Sequence, residues 1–309
     1  MGKIVLILTD RPAQPWKEQL TKADSQLQVD IWPEIQEYSV YDTAVVWKHP
    51  AGLLKKFQNL KLLYSLGAGV DHILSDPDLP PGIPIARVVD AQLTQSMTNF
   101  IIMAVLSYQR RLFEYRELRN EGRWQKLDSS ERPVQVGLLG LGELGRDAAK
   151  KLVTLGFDVH GFSRRPKNIE GVHSCHGEAG LHAMLSQVNV LVNLLPLTTE
   201  TKGILNARFF EKCLPGTYLV NVARGQHLVE KDLQEALDQG QISGAWLDVF
   251  EQEPLPQEHP FWRDSRILIT PHIASVTNPA SAAAQVAENH RRLQRNEPLL
   301  HTIDRSKEY

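Results

Sequence analysis

Between Val134 and Gly156 the chain reads VQVGLLGLGELGRDAAKKLVTLG, and this stretch leaves few folds open. Val136–Leu139, with Gly137 inside it, reads as a buried strand. It breaks at Gly140-Leu141-Gly142-Glu143-Leu144-Gly145. Leu144, Ala148, Leu152 and Leu155 then recur at helical spacing, which predicts a helix stopped at Gly156. Strand, glycine turn and helix in that order give G-x-G-x-x-G its meaning as a dinucleotide site. Gly140 permits the tight turn, Gly142 lets backbone approach a pyrophosphate, and Gly145 lets helix and strand pack closely. The N–H groups opened at the helix start, around Glu143 and Leu144, face the anion. A glycine-rich turn without a ligand is the plainer alternative, and the flanking strand and helix weigh against it.

The rest of the chain repeats strand-helix alternation on both sides of this turn, which predicts an α/β protein with mostly parallel sheets. A chain of 309 residues is long for one core and points to two domains. Before the turn, strands are expected at Lys3–Leu8, Gln28–Trp32, Thr43–Trp47 and Leu62–Ser65, and Ser75–Pro84 has loop composition. From Ala91 to about Glu121 one long helix is expected, ended by Gly122 and apolar along Met97, Phe100, Ile101, Ala104, Val105 and Tyr108. It reads equally as a domain bridge, an oligomer contact or a core helix. From the turn onward six strands are expected, the last at Arg266–Thr270. The tail is too short for a domain and is expected to pack back on the N-terminal unit. The expected division is 1–92 plus 277–309 as a substrate domain and 93–276 as a dinucleotide-binding domain.

A formal net charge of −2, with acids and bases mixed along the chain, gives no support for nucleic acid or an anionic membrane surface as partner. Cys175 and Cys213 are the only cysteines and lack metal-ligand spacing, so no metal is expected and a reducing compartment is. Ile4–Leu8 is too short for a signal core or a span. A soluble, cytoplasmic protein is the expectation.

Ligands of such sheets lie beyond the carboxyl ends of the strands. The place of the acid that holds a ribose 2′-hydroxyl is taken by Ser163, followed by Arg164 and Arg165, and Asp158 stands at the wrong end of its strand. A hydroxyl and two guanidinium groups suit a 2′-phosphate, which favours NADPH, with NADH still possible. A solvated basic turn is the alternative. Leu195, Pro196, Val222, Ala223 and Ser275 also follow strands and are expected along the cofactor. Arg224, Glu253 and His272 follow three later strands. Each alone is weak, but together they supply a cation for a carboxylate, a proton donor for a carbonyl oxygen and a carboxylate that favours the charged imidazolium. Contact between Glu253 and His272 is a matter for the fold.

The segments GLLGLGELG, LLPLTTETKGILN, NVARGQHLVE, GAWLDVFEQEPLP and TPHIAS, in this order, resemble the D-isomer-specific 2-hydroxyacid dehydrogenase family. The resemblance covers most of Gln135–Ser275 and implies two Rossmann-like doubly wound domains with an active-site cleft between them. It implies that Arg224 binds the substrate's carboxylate and carbonyl, that His272 is the acid/base and Glu253 its charge partner, and that Asp248 sits near the nicotinamide carboxamide. LGAGVDHI is similar to the family's carboxylate loop, so the backbone of Ala68, Gly69 and Val70 is expected to hold that group. LGAGVDHILS, FWRDSRILITPHIAS, Ser163-Arg164 and the IDRSKEY ending resemble the subgroup that reduces glyoxylate and hydroxypyruvate with NADPH. That implies Trp47 in the substrate pocket, against a plain core tryptophan, and a homodimer, to which Trp124 contributes or in which it merely packs. Where many family members carry a glutamate on the long helix, this chain has Met97-Thr98-Asn99, which puts substrate preference in question. Oxidation of another 2-hydroxy acid, or a non-catalytic NADP(H) sensor on the same scaffold, are the alternatives; the three intact strand-end residues argue against the sensor.

Overall fold

The protein is described from a computed structural model, which covers residues 2–129 and 131–309. The chain forms two compact units, Met1–Leu93 with Val276–Tyr309, and Thr94–Ser275.

The first unit is built on apolar runs that no amphipathic element could bury on one face. β1 (Lys3–Leu8), α1 (Gln14–Ala23), β2 (Val29–Ile31), β3 (Tyr41–Trp47), β4 (Leu62–Ser65), α2 (Asp71–Leu74) and β5 (Ile85–Arg87) follow in order. The sheet runs β2-β1-β3-β4-β5 with every pairing parallel. All seven residues of β3 are buried, as a central strand covered on both faces requires. β5 lies just past the proline-rich loop and was not expected; three residues at a sheet edge carry too little pattern. α9 (Pro279–Gln294), capped by the Asn278 side chain, packs on α1, and its Ala282, Val286 and Ala287 are fully buried. The Gln285 amide bonds both the N–H and the C=O of Val89, at 3.2 and 2.7 Å. Asn289 does the same to Leu300, at 2.7 and 2.9 Å. Each pair satisfies part-buried backbone groups of the loops it meets.

The second unit holds α3 (Ala91–Gln109) from Thr94 onward and α4 (Leu112–Asn120). The single long helix expected here is two helices, because Arg111 takes a left-handed backbone at φ 58°. Then come β6 (Gln135–Leu139), α5 (Glu143–Thr154), β7 (Asp158–Phe162), β8 (Val172–Cys175), α6 (Gly177–Leu185) and β9 (Val190–Asn193). α7 (Ala207–Phe210), β10 (Thr217–Asn221), α8 (Glu230–Asp238), β11 (Ile242–Leu247) and β12 (Ile267–Ile269) complete it. Seven strands form the sheet rather than the expected six, in the order β12-β11-β10-β9-β6-β7-β8, all parallel. The additional strand is β8, a half-exposed edge without an apolar run. One core packs Ala148, Ala149 and Leu152 of α5 and Ile101, Ala104 and Val105 of α3 against the sheet. The other packs Met184 and Leu185 of α6 and Leu233 and Leu237 of α8 against it. Helices thus cover both faces, and the strand order reverses between β6 and β9. That switch point is where an open α/β sheet binds its ligand.

No helix among the described residues is long and apolar enough to cross a membrane.

Candidate active site

The glycine turn stands at the switch point, and its three glycines answer three separate constraints. Gly140 has φ +106°, and a Cβ there would lie 2.9 Å from the Leu194 carbonyl oxygen. A Cβ on Gly145 would stand 1.9 Å from the Gly140 carbonyl oxygen, so only glycine lets α5 start this close to β6. Around Gly142 a Cβ would meet nothing within 4 Å. Its need for glycine therefore comes from outside the protein, as it would if a ligand approached the backbone there. Gly142 is the N-cap of α5 and offers no side chain, while exposed Glu143 turns to Arg146 at 2.8 Å. The helix-start amides are thus left to a ligand, and these residues fit a dinucleotide pyrophosphate.

Two fully buried asparagines shape the neighbouring strand ends. Asn193 closes β9 and Asn221 closes β10, and the Asn193 amide donates to Asn221 Oδ1 at 3.0 Å. Asn193 Oδ1 accepts from the Leu195 N–H at 3.2 Å, which sets the Leu195-Pro196 turn beside Gly140. Asn221 Oδ1 accepts from the Ala223 N–H at 3.3 Å, and its amide donates to the Arg224 carbonyl at 3.1 Å. Val222 and Ala223 are consequently buried and Arg224 is half-buried at the end of this ladder. Sequence reasoning passed over both asparagines. The signal available was an apolar strand closed by Asn, seen twice, in VLVN and YLVN.

Gly225 fixes what Arg224 faces. A Cβ there would lie 1.8 Å from the Phe250 carbonyl carbon, so the Arg224 loop is packed on the loop that carries Glu253. Glu253 Oε1 accepts the Phe250 N–H at 3.2 Å, and Oε2 lies 2.8 Å from His272 Nδ1. Both partners are partly exposed, the side chains at 22% and 30%. His272 has φ 54°, a strained backbone for a residue with a Cβ.

That strain is held by Asp248. It is fully buried, and its Oδ1 accepts from the Thr270 hydroxyl at 2.6 Å and the Ile273 N–H at 3.0 Å. Oδ2 accepts from the Ala274 N–H at 2.8 Å, and the Asp248 carbonyl accepts the His272 N–H at 2.8 Å. Burial raises the Asp248 carboxyl above its usual range, while the Thr270, Ile273 and Ala274 donors and the charge of His272 work the other way. The family resemblance implies Asp248 near the nicotinamide carboxamide. Its carboxylate is engaged with the histidine loop, which runs on to half-buried Ser275.

The basic turn after β7 is also organised. The Ser163 hydroxyl donates to the Arg165 carbonyl at 2.7 Å, which curls the turn, and Ser163 is buried while both arginines are exposed. Arg164 Nη1 lies 3.7 Å from Glu200 Oε2.

In the first unit Trp47 is buried, and its indole N–H donates to Asp10 Oδ2 at 3.2 Å. The Arg11 guanidinium lies 4.5 Å over the ring and His72 lies 4.6 Å from it. A Cβ on Gly67 would stand 2.3 Å from the indole, so Trp47 is the backing of the Gly67–Val70 loop. Ser65 Oγ donates to the Gly69 carbonyl at 2.7 Å, and Ala68 and Gly69 remain partly exposed above buried Val70. Burial acts to raise the Asp10 carboxyl, but Arg11, Lys48 and the indole N–H together hold it below its usual range. Asn99 is exposed on α3 beside Ile102, Met103 and Leu106.

A doubly wound sheet with a glycine turn at its switch point and a histidine-carboxylate pair at neighbouring strand ends defines a dinucleotide-dependent oxidoreductase. Comparison with known proteins agrees. The sequence model of D-isomer specific 2-hydroxyacid dehydrogenase, NAD binding domain, matches residues 102–274. Glyoxylate/hydroxypyruvate reductase A of Serratia proteamaculans is 44% identical over 283 residues, 90% of each chain. Its counterpart from Photorhabdus laumondii is 45% identical over 269 residues, 85% of this chain and 86% of that one. Among solved structures, a D-isomer specific 2-hydroxyacid dehydrogenase from Xanthobacter autotrophicus, in complex with NADPH and MES, superposes with TM-score 0.95 at 39% identity, over 100% of this chain and 99% of that chain. The NADPH-dependent glyoxylate/hydroxypyruvate reductase of Sinorhizobium meliloti, with NADP and sulfate, gives 0.94 at 36% identity over all of both chains. The chain belongs to the D-isomer specific 2-hydroxyacid dehydrogenase family.

Proposed function

We propose that the protein is an NADPH-dependent reductase of small 2-oxo acids, glyoxylate and hydroxypyruvate among them, and that His272 is its proton donor. The observation that carries this reading is the 2.8 Å pair between His272 Nδ1 and Glu253 Oε2, with Glu253 itself tied to the Phe250 amide. When bound, NADPH supplies the hydride that adds to the carbonyl carbon. Glu253 fixes the imidazole by Nδ1, which leaves Nε2–H to protonate the carbonyl oxygen. Arg224 pairs with the substrate carboxylate and polarises the carbonyl, and the backbone of Ala68, Gly69 and Val70 binds the same carboxylate. Trp47 shapes that loop from behind. Ser163, Arg164 and Arg165 take the 2′-phosphate, for which a curled turn with two exposed guanidinium groups is suited. Relatives named as glyoxylate/hydroxypyruvate reductases, at 44% and 45% identity, support this substrate class.

We also propose a homodimer joined through α3. Met103 and Leu106 on α3, Leu112 at the start of α4, and Trp124 beyond it are all exposed, Trp124 completely. An apolar surface of this kind is what a second copy would cover.

The decisive experiment is loss of nicotinamide absorbance with NADPH or NADH against glyoxylate, hydroxypyruvate and pyruvate. Turnover of the first two with NADPH, and much less with NADH, is expected. Tight NADPH binding without oxidation by any acid would overturn the reading in favour of a sensor.

A further inference from the structure

β7 and β8 carry a side-chain cluster that the reductase chemistry does not use. The strand register sets His160 of β7 beside His173 of β8. Paired residues of neighbouring strands project from the same face, and Asp158, two residues before His160, shares it. The alternation is fixed by the two cores. Val159 enters the core on the α5 side, whereas Phe162 packs in the opposite one, with Met184 and Leu185 of α6. Asp158, His160 and His173 therefore cannot turn away from one another without moving the apolar residues between them.

Three potential ligand atoms result. Asp158 Oδ1 lies 3.4 Å from His160 Nε2 and 3.3 Å from His173 Nε2. All three atoms fall within 4.8 Å of one another, and the imidazole rings are 4.8 Å apart at 32°. The other carboxylate oxygen, Oδ2, accepts from the Gln135 amide at 3.1 Å, which turns Oδ1 toward the histidines. Outer hydrogen bonds of this sort orient ligating carboxylates in metal sites. His160 Nε2 is buried and makes no full hydrogen bond among the described residues, only an ion-pair approach to Asp158 Oδ1 at 3.4 Å. A buried polar atom without a full hydrogen bond calls for a group that supplies one.

We propose that Asp158, His160 and His173 form a binding site for a divalent first-row transition-metal ion, with zinc as the reference ion. In a tetrahedral zinc site with bonds of about 2.0–2.1 Å, adjacent ligand atoms lie roughly 3.3–3.4 Å apart. Both oxygen–nitrogen spacings here have that value. Two imidazoles and one carboxylate suit zinc, nickel or cobalt and not magnesium or calcium, which take oxygen ligands. The His173 side chain is 69% exposed, so the fourth position opens to water. The cluster sits toward the amino end of β7, while the dinucleotide turn leaves the carboxyl end of β6, next to it in the sheet. The ion's role is accordingly structural. It ties the edge strand β8 to β7, and β8 in turn receives the Ser163 N–H on the Cys175 carbonyl at 3.1 Å, at the root of the basic turn.

The test uses the untagged full chain, treated with chelator and then dialysed against zinc, with metal content, calorimetric titration and thermal unfolding as readouts. One equivalent of zinc per chain is expected, with an unfolding midpoint that rises with zinc concentration and does not respond to magnesium. His173→Ala, at an exposed position, and Asp158→Asn should lose the equivalent and the thermal response. Gln135→Leu should weaken binding by about 10-fold or more. NADPH-dependent turnover of His173→Ala should match the parent. No stoichiometric zinc on the parent chain would overturn the site. Equal zinc binding by parent and His173→Ala would overturn it as well.

Discussion

His272 Nδ1 stands 2.8 Å from Glu253 Oε2, while the second Glu253 oxygen is held by the Phe250 amide. The carboxylate is thus a fixed support and the histidine is the group with a free edge. Glu253→Gln keeps a hydrogen-bonding atom at the same place and removes the charge. We expect kcat for 2-oxo acid reduction to fall by about 10²–10⁴-fold, the range general acid catalysis commands. NADPH affinity, measured by fluorescence titration, should stay unchanged. Turnover within a few-fold of the parent would remove Glu253 from the proton-donor unit.

Backbone contacts set Arg224 for the proposed role. Its carbonyl is bonded by Asn221, its guanidinium donates to the Ala223 carbonyl at 2.7 Å, and Gly225 presses the loop onto Phe250. Arg224→Ala leaves that backbone ladder in place. It should lower kcat/KM for glyoxylate by about 10²-fold or more, the scale for truncating one side of a buried charge pair. NADPH should still bind normally. Near-normal reduction would sink the assignment of Arg224 to the substrate carboxylate.

The turn after β7 has Ser163 where an acid would hold a ribose 2′-hydroxyl, followed by two exposed cations, Arg164 and Arg165. Arg164→Ala with Arg165→Ala should weaken NADPH by roughly 10–100-fold, since a hydrogen bond to a charged group contributes about 1.5–3 kcal/mol. NADH, which lacks the 2′-phosphate, should lose little. Comparison of dissociation constants for the two cofactors checks it, and equal weakening counts against a phosphate site.

What could be read from the sequence divides by the range of the interaction. Ile4–Leu8, Val45-Val46 and Val136–Leu139 announce strands because both faces are buried, and the glycine turn announces its ligand because its constraints are local. β8 is different: VHSC is half-exposed at a sheet edge and carries no run or alternation. With β8 unread, the register that brings His173 to His160 was invisible, and no metal ligands were expected. The break between α3 and α4 falls at Arg111 without glycine or proline, so composition gave no warning. His272, Glu253 and Arg224 were legible as chemistry at strand ends, but the 2.8 Å contact depends on loops set by Gly225 and Asp248. Asp248 shows the limit most clearly. Its partners Thr270, Ile273 and Ala274 lie 22 to 26 residues away and are brought near by the pairing of β11 with β12.

Asp248 provides a test of positioning. Asp248→Asn keeps one carbonyl oxygen for Thr270 and Ile273 but sets an NH₂ group against the Ala274 N–H. Leaving one buried donor unpaired costs about 1–3 kcal/mol. Urea unfolding should report that loss, and kcat should drop although the side chain does not reach Nε2 of His272. A variant as stable and as active as the parent would mean that the loop is held by other contacts.

α3 carries apolar side chains on two sides. Met103 and Leu106 are 45% and 37% exposed on one side of a helix whose other side, through Ile101, Ala104 and Val105, is fully buried. Apolar residues on both sides of a helix make sense if the outer side is covered by another copy. Met103→Glu with Leu106→Glu would place two carboxylates on each copy at that contact, where like charges repel and are desolvated. Light scattering after size-exclusion chromatography should give a dimer mass for the parent and half of it for the variant, with unchanged far-ultraviolet circular dichroism. A parent that runs as one chain, or a variant that keeps the dimer mass, would exclude this face as the dimer contact.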